Sequence, residues 1–157
     1  LTFVARQKGE AWNRPFVAIY EPSSVKEPGC ITEVSFSEVK SKTENSATGI
    51  CVVQKNGRTD YILSSDNPTD ICTSGKMSAQ ATYALWGNKK GDDCTFFLGY
   101  GTLLSTPNVV IKAETPADVL LEFKKGTWYY TASTDCTVSI QKKTYKLKAN
   151  TEEKTLK

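Results

Sequence analysis

The sequence predicts an all-β protein, an antiparallel two-sheet β-sandwich. Three observations predict it. Runs rich in Val, Ile, Thr, Tyr, Phe and Trp recur along the chain. Gly, Pro, Asp, Asn and Lys interrupt them roughly every 8–12 residues, the rhythm of sandwiches and barrels. Several runs alternate apolar and polar positions, as half-buried strands do, and no segment carries a three-turn apolar stripe at helical period.

The elements follow in order. "FVARQ" and "FVAIYE" read as strands flanking the polar insert "KGEAWNRP". "ITEVSFSEV", residues 31–39, alternates two side-chain sets. "ICVVQKNGRTDYILSS" is the clearest hairpin, because Asn56-Gly57 tolerates the positive φ values of a type I′ turn. After "DNPTD", a strand through "AQATYALWG", a turn at "NKKGDD" and a strand through "CTFFLGYGTLL" follow. "VVIKAE", "ADVLLEF", "TWYYTAS", "CTVSIQ" and "TYKLKA" complete the set. Thr115-Pro116 suits a helix start, but the apolar run after it is short and strand-bounded, so it reads as a strand. In "TYKLKA", Tyr145 and Leu147 face one way, Lys146 and Lys148 the other.

The 157 residues suit one domain, 1–157, and 24% charged against 39% hydrophobic residues suits a soluble globular chain. A net charge of +3 is too mild to imply nucleic acid, yet it suits an acidic polysaccharide. No apolar run approaches the roughly 18 residues of a membrane-spanning helix. The chain begins at Leu1 and shows no signal-peptide core, so it reads as a piece of something longer.

Cys30, Cys51, Cys72, Cys94 and Cys136 form no C-x-x-C pair, and five cannot all pair within one chain. They read mainly as small buried apolar residues, with room for one disulfide. No metal site and no cofactor are expected. Histidine is absent, which removes the commonest general base and the Ser-His-Asp triad. The glycines of "GYGTLL" lie inside a strand pattern with no helix after them, so they mark a bulge or a close backbone approach. Tyr61 or Tyr100 would serve as acid or base only beside a cation. Arg58 and Asp60 lie two apart on one strand face, as a local ion pair or a cross-strand contact.

Aromatic residues near turns are the remaining candidates. Trp12, Trp86 and Trp128 either stack on a sugar face or plug a sheet edge. Lys124 and Lys125 precede Trp128-Tyr129-Tyr130, as a basic patch beside aromatics or as a solvated turn. In "KGEAWNRP", Trp12 is a candidate apolar anchor, with Glu10 and Arg14 fixing orientation against a neighbouring domain. The alternative has Trp12 capping its own sandwich.

Taken together, "RQKGEAWNRPFVAIYEP", "GICVVQKNGRTDYIL", "ATYALWG" and "FFLGYGTLL" resemble the C-terminal region of secreted bacterial heparinase II/III-like polysaccharide lyases. In that family a helical toroid precedes β-sandwich domains, and Tyr and His residues outside this region carry β-elimination of uronate-containing glycans. The resemblance implies a non-catalytic accessory sandwich, secreted or periplasmic, that packs against an upstream catalytic domain of the same polypeptide. It carries no catalytic residue onto this chain. The rival expectations are a stand-alone carbohydrate-binding module for acidic glycans and, less favoured, a complete Tyr-based enzyme.

Overall fold

The computed structural model describes residues 17–26, 28–44, 46–89 and 93–156. Among them lie twelve strands and no helix: β1 (Ile31–Ser37), β2 (Val39–Lys40), β3 (Ala47–Gln54), β4 (Arg58–Ser65), β5 (Cys72–Ser74), β6 (Met77–Lys89), β7 (Cys94–Ser105), β8 (Val109–Lys124), β9 (Thr127–Ala132), β10 (Cys136–Ile140), β11 (Lys143–Leu147) and β12 (Asn150–Thr155). Every pairing is antiparallel.

The strands belong to one continuous sheet whose spine is the long trio β6, β7 and β8. The start of β6 pairs with β5 and its end with β4. The start of β8 pairs with β10 and its end with β9. The spine therefore serves two layers. Layer one runs β1-β3-β4-β6-β7-β8-β9-β12, and layer two runs β2-β5-β6-β7-β8-β10-β11. Register breaks fall where the layers meet, between Gln80 and Ala81 and between Leu98 and Leu103. Bulges bend a strand and let it pass from one sheet into the other. A single core forms between the layers, with Leu63, Leu98, Val119 and Leu121 from layer one and Met77, Leu104, Ile111, Val138 and Leu147 from layer two. The all-β antiparallel expectation holds, with both layers cut from one sheet.

Gly101 sits at the bend. A methyl group there would lie 2.6 Å from Leu98 Cδ1 and 2.7 Å from the Gln80 carbonyl oxygen, so only glycine fits the close approach read from "GYGTLL". Its neighbour Tyr100 holds φ at 45°, and the Tyr100 N–H donates to Asp118 Oδ1 at 2.8 Å. "VVIKAE" and "ADVLLEF", expected as two strands, form the single strand β8. Pro116 lies in its irregular stretch opposite the bend, where no ladder N–H is needed.

Two further expectations are corrected. At Asn56-Gly57 only the glycine has positive φ, 81°, and the Gly57 N–H donates to the Gln54 carbonyl at 3.0 Å. That is a three-residue connection ending in a left-handed glycine, not a type I′ turn. Two consecutive positive φ values occur instead at Lys125, 50°, and Gly126, 81°, between the paired residues Lys124 and Thr127. "FVAIYE" forms no strand over its described residues. Ile19 and Tyr20 are exposed, and the segment joins no strand ladder. Glu21 instead accepts the N–H groups of Cys30 and Ile31 at the start of β1. "FVARQ" lies outside the described residues.

All five cysteines are free thiols, so no disulfide forms. Cys72 and Cys136 are buried, Cys51 and Cys94 intermediate and Cys30 exposed, so the apolar-filler reading fits only part of the set.

Candidate functional site

Strand register places the candidate tryptophans. Asn88 pairs with Cys94, Cys94 with Phe123 and Phe123 with Trp128, giving one row across β6, β7, β8 and β9. Trp86 and Phe96 pair in the adjacent row. Both tryptophans point to the inner side and pack against the core margin. The Trp86 ring stacks on Tyr61, centroids 4.9 Å apart at 26°. Trp128 meets Phe96 at 6.2 Å and Phe123 at 5.1 Å.

The two tryptophans line one cleft of about 180 Å³ at an end of the sandwich, with Asn88, Asn108 and Gln141 at its rim. The Gln141 N–H donates to the Asn108 carbonyl at 2.7 Å, and Gln141 holds φ at 55°. Aromatic walls with a few amide groups suit a small polar ring better than acid–base chemistry. Burial pushes the Cys94 thiol, also on this wall, above its ordinary range.

Lys124 and Lys125 do not join Trp128. Lys124 pairs across the hairpin with Thr127, one position from Trp128, so strand alternation puts it on the opposite face. There its ammonium lies 2.6 Å from Glu122 Oε2 and 3.4 Å from Glu153 Oε1. The hydrogen bond to Glu122 raises the Lys124 pKa, with a further contribution from Glu153. Lys125 occupies the turn, where its N–H donates to Asp93 Oδ1 at 3.2 Å. Glu10, Trp12 and Arg14 lie outside the described residues.

A second concavity, about 580 Å³, is lined by Lys112, Glu114, Asp135, Thr137, Lys146 and Lys148 on layer two. Lys148 bonds Asp135 at 2.5 Å, which lowers the Asp135 pKa and raises that of Lys148. The alternation of "TYKLKA" signalled these lysines. Nothing local signalled that β8 would bring Lys112 beside them across β10.

Arg58 and Asp60 do form the local pair. Arg58 Nε donates to Asp60 Oδ1 at 2.7 Å, Gln54 Nε2 donates to Oδ2 at 2.9 Å, and the Asp60 side chain is only 12% exposed. The pair lies over Gly87, where any side chain would collide with both groups. Among the described residues, no three His, Cys, Asp or Glu side chains gather as metal ligands. No helix among them is long and apolar enough to cross a membrane.

The family described as endo-acting ulvan lyase C-terminal domain matches residues 35–123, more than half of the chain. An endo-acting ulvan lyase of Formosa agariphila is 31% identical over 117 residues, which cover 70% of this chain and 14% of that protein. The chain thus spans about a seventh of the curated relative's length. No solved structure matches it significantly. The chain belongs to the endo-acting ulvan lyase C-terminal domain family.

Proposed function

We propose that this chain is a non-catalytic accessory sandwich of a secreted or periplasmic polysaccharide lyase, packing against a catalytic domain in the same polypeptide. The observation that carries the reading is the match to a lyase's C-terminal domain, in a chain spanning 14% of a lyase and containing no histidine. β-Elimination needs a base to remove the proton beside a uronate carboxylate and an acid to protonate the leaving oxygen. The two candidate tyrosines are otherwise placed. Tyr61 is stacked on Trp86, and Tyr100 is exposed with its N–H bonded to Asp118. A heparinase II/III-like parent is the finer form of the same reading.

The test is incubation of the purified chain with ulvan, heparin, alginate and chondroitin while following unsaturated-uronate absorbance. No turnover is expected. Turnover abolished by Tyr61→Phe or Tyr100→Phe would overturn the accessory reading.

The cleft between Trp86 and Trp128 favours a second reading, a carbohydrate-binding module, and the net charge of +3 suits acidic glycans. It predicts retention on an immobilised acidic polysaccharide that Trp128→Ala abolishes. Unretained wild-type chain would end it.

A further inference from the structure

One row across the outer face of layer one is apolar in register. Phe36 pairs with Ile50, Ile50 with Ile62, Ile62 with Leu85, Leu85 with Phe97, and Phe97 with Leu120. Five strand spacings of about 4.8 Å make this row about 24 Å long. None of the six belongs to the core. Their chain neighbours Leu63, Ala84, Phe96, Leu98, Val119 and Leu121 face inward, so alternation turns the row outward. All six are intermediate or exposed, with Phe36 71% exposed and Val34 beside it 45%. The Phe97 ring spreads the surface further. It leans over Gly99, where a methyl group would lie 2.9 Å from Phe97 Cε1, and its centroid lies 6.0 Å from that of Tyr83. A continuous apolar strip of this length exceeds the scattered apolar side chains normal on a solvated sheet.

We infer that this face is the docking surface for the preceding part of the same lyase polypeptide. The inference rests on the accessory-domain reading and names the surface that reading needs. Two observations select this occupant. The chain reaches the sandwich here: Val17 and Ala18 line a concavity of about 320 Å³ with Thr48, Ile50, Ile62, Ser64 and Tyr83, against the second and third members of the apolar row. The family is a C-terminal domain, so the bulk of a related lyase precedes this segment. A strip crossing six strands supplies the apolar centre of an interface between domains of one chain, whose full area also takes in the polar residues around it. The Arg58–Asp60 pair beside the row supplies a polar margin, as interfaces of this kind have.

The test compares the 157-residue chain with the intact lyase polypeptide, each with and without Phe36→Glu plus Ile62→Lys. Phe36→Ser alone serves as a second variant that disturbs only an exposed side chain. Thermal unfolding of the 157-residue variants checks folding. Small-angle scattering and protease cleavage at the junction report docking. The expected result is a compact intact polypeptide whose junction is cleaved at least tenfold faster in the double variant and several-fold faster in Phe36→Ser. An intact polypeptide loosened instead by Lys112→Glu plus Lys146→Glu, on layer two, would overturn the surface and leave the accessory reading standing. Independent domains in the unsubstituted polypeptide would overturn the packing reading itself. A dimer of the 157-residue chain that the double variant splits, with the intact junction unchanged, would make a second copy the occupant and overturn the proposal.

Discussion

Layer one presents Phe36, Ile50, Ile62, Leu85, Phe97 and Leu120 in a row on its outer face. The corresponding face of layer two presents Lys146, Thr137, Lys112, Leu103 and Gln80 in a row of the same kind. Hydroxyl pairs accompany the second row, Ser139 with Thr144 and Thr73 with Ser78, each at 2.9 Å. Both layers share the spine strands and cover one core, so their inner faces obey a common demand. Their outer faces do not. Layer two shows that this sandwich closes with hydroxyls and lysines outside. The apolar row on layer one therefore answers to something beyond the sandwich.

The core common to both layers carries the largest expected effect. Leu98 is fully buried on β7, so Leu98→Ala should cost about 2–5 kcal/mol, measured as a lower urea midpoint at unchanged slope. Phe36→Ser on the same layer's outer face should move that midpoint far less in the 157-residue chain. Equal losses would mean that the outer row is a second core.

Asp60→Ala tests the polar margin of layer one. It leaves Arg58 and Gln54 without their acceptor in a half-covered site, at an expected cost of about 1–3 kcal/mol by thermal unfolding. The ion pair of layer two is far more open, with Lys148 and Asp135 side chains 78% and 58% exposed. Asp135→Ala should therefore cost less, and the reverse order would remove the distinction between the two margins.

Beneath layer two, burial first and then the neighbouring Asp135 push the Cys136 thiol up to about 11 from an ordinary value near 9. A raised folded-state pKa favours the neutral thiol. Its contribution is complete below pH 9, where both states are protonated, and is lost as pH rises towards 11, because the unfolded thiol ionises first. Stability of the native chain should fall across that window, and Cys136→Ser should flatten the fall. Thiol labelling at pH 8 should reach exposed Cys30 well before Cys136, and equal rates would contradict the burial.

The smallest effect belongs to the solvated face. Lys112→Gln and Lys146→Gln should each change stability by less than about 0.5 kcal/mol, since both side chains are exposed on a sheet already paired on its inner side. A larger loss by thermal unfolding would show layer two to be as context-dependent as layer one.

Strand-forming text, turn punctuation and the lack of a 3.6-residue stripe were enough to determine an all-β antiparallel chain, because side-chain alternation and turn chemistry act within a few residues. The same local rules marked the Gly101 bend, the alternation of "TYKLKA" and the Arg58–Asp60 pair. The length of β8 was not legible, because Pro116 reads as a break unless a bulge opposite it removes the need for its N–H. Nor was the division between Lys124 and Trp128, which sit four residues apart in the chain and on opposite faces of one hairpin. The missed feature was the apolar row. Its six members lie on six strands between residues 36 and 120 and share a line only through register, which is set by hydrogen bonds between distant strands. Within any one strand, Ile62 or Leu85 is simply the apolar neighbour of another apolar residue. Sequence alone put apolar residues at neighbouring positions of β4, β6, β7 and β8, and only the tertiary fold decided which of them entered the core and which lined up outside it.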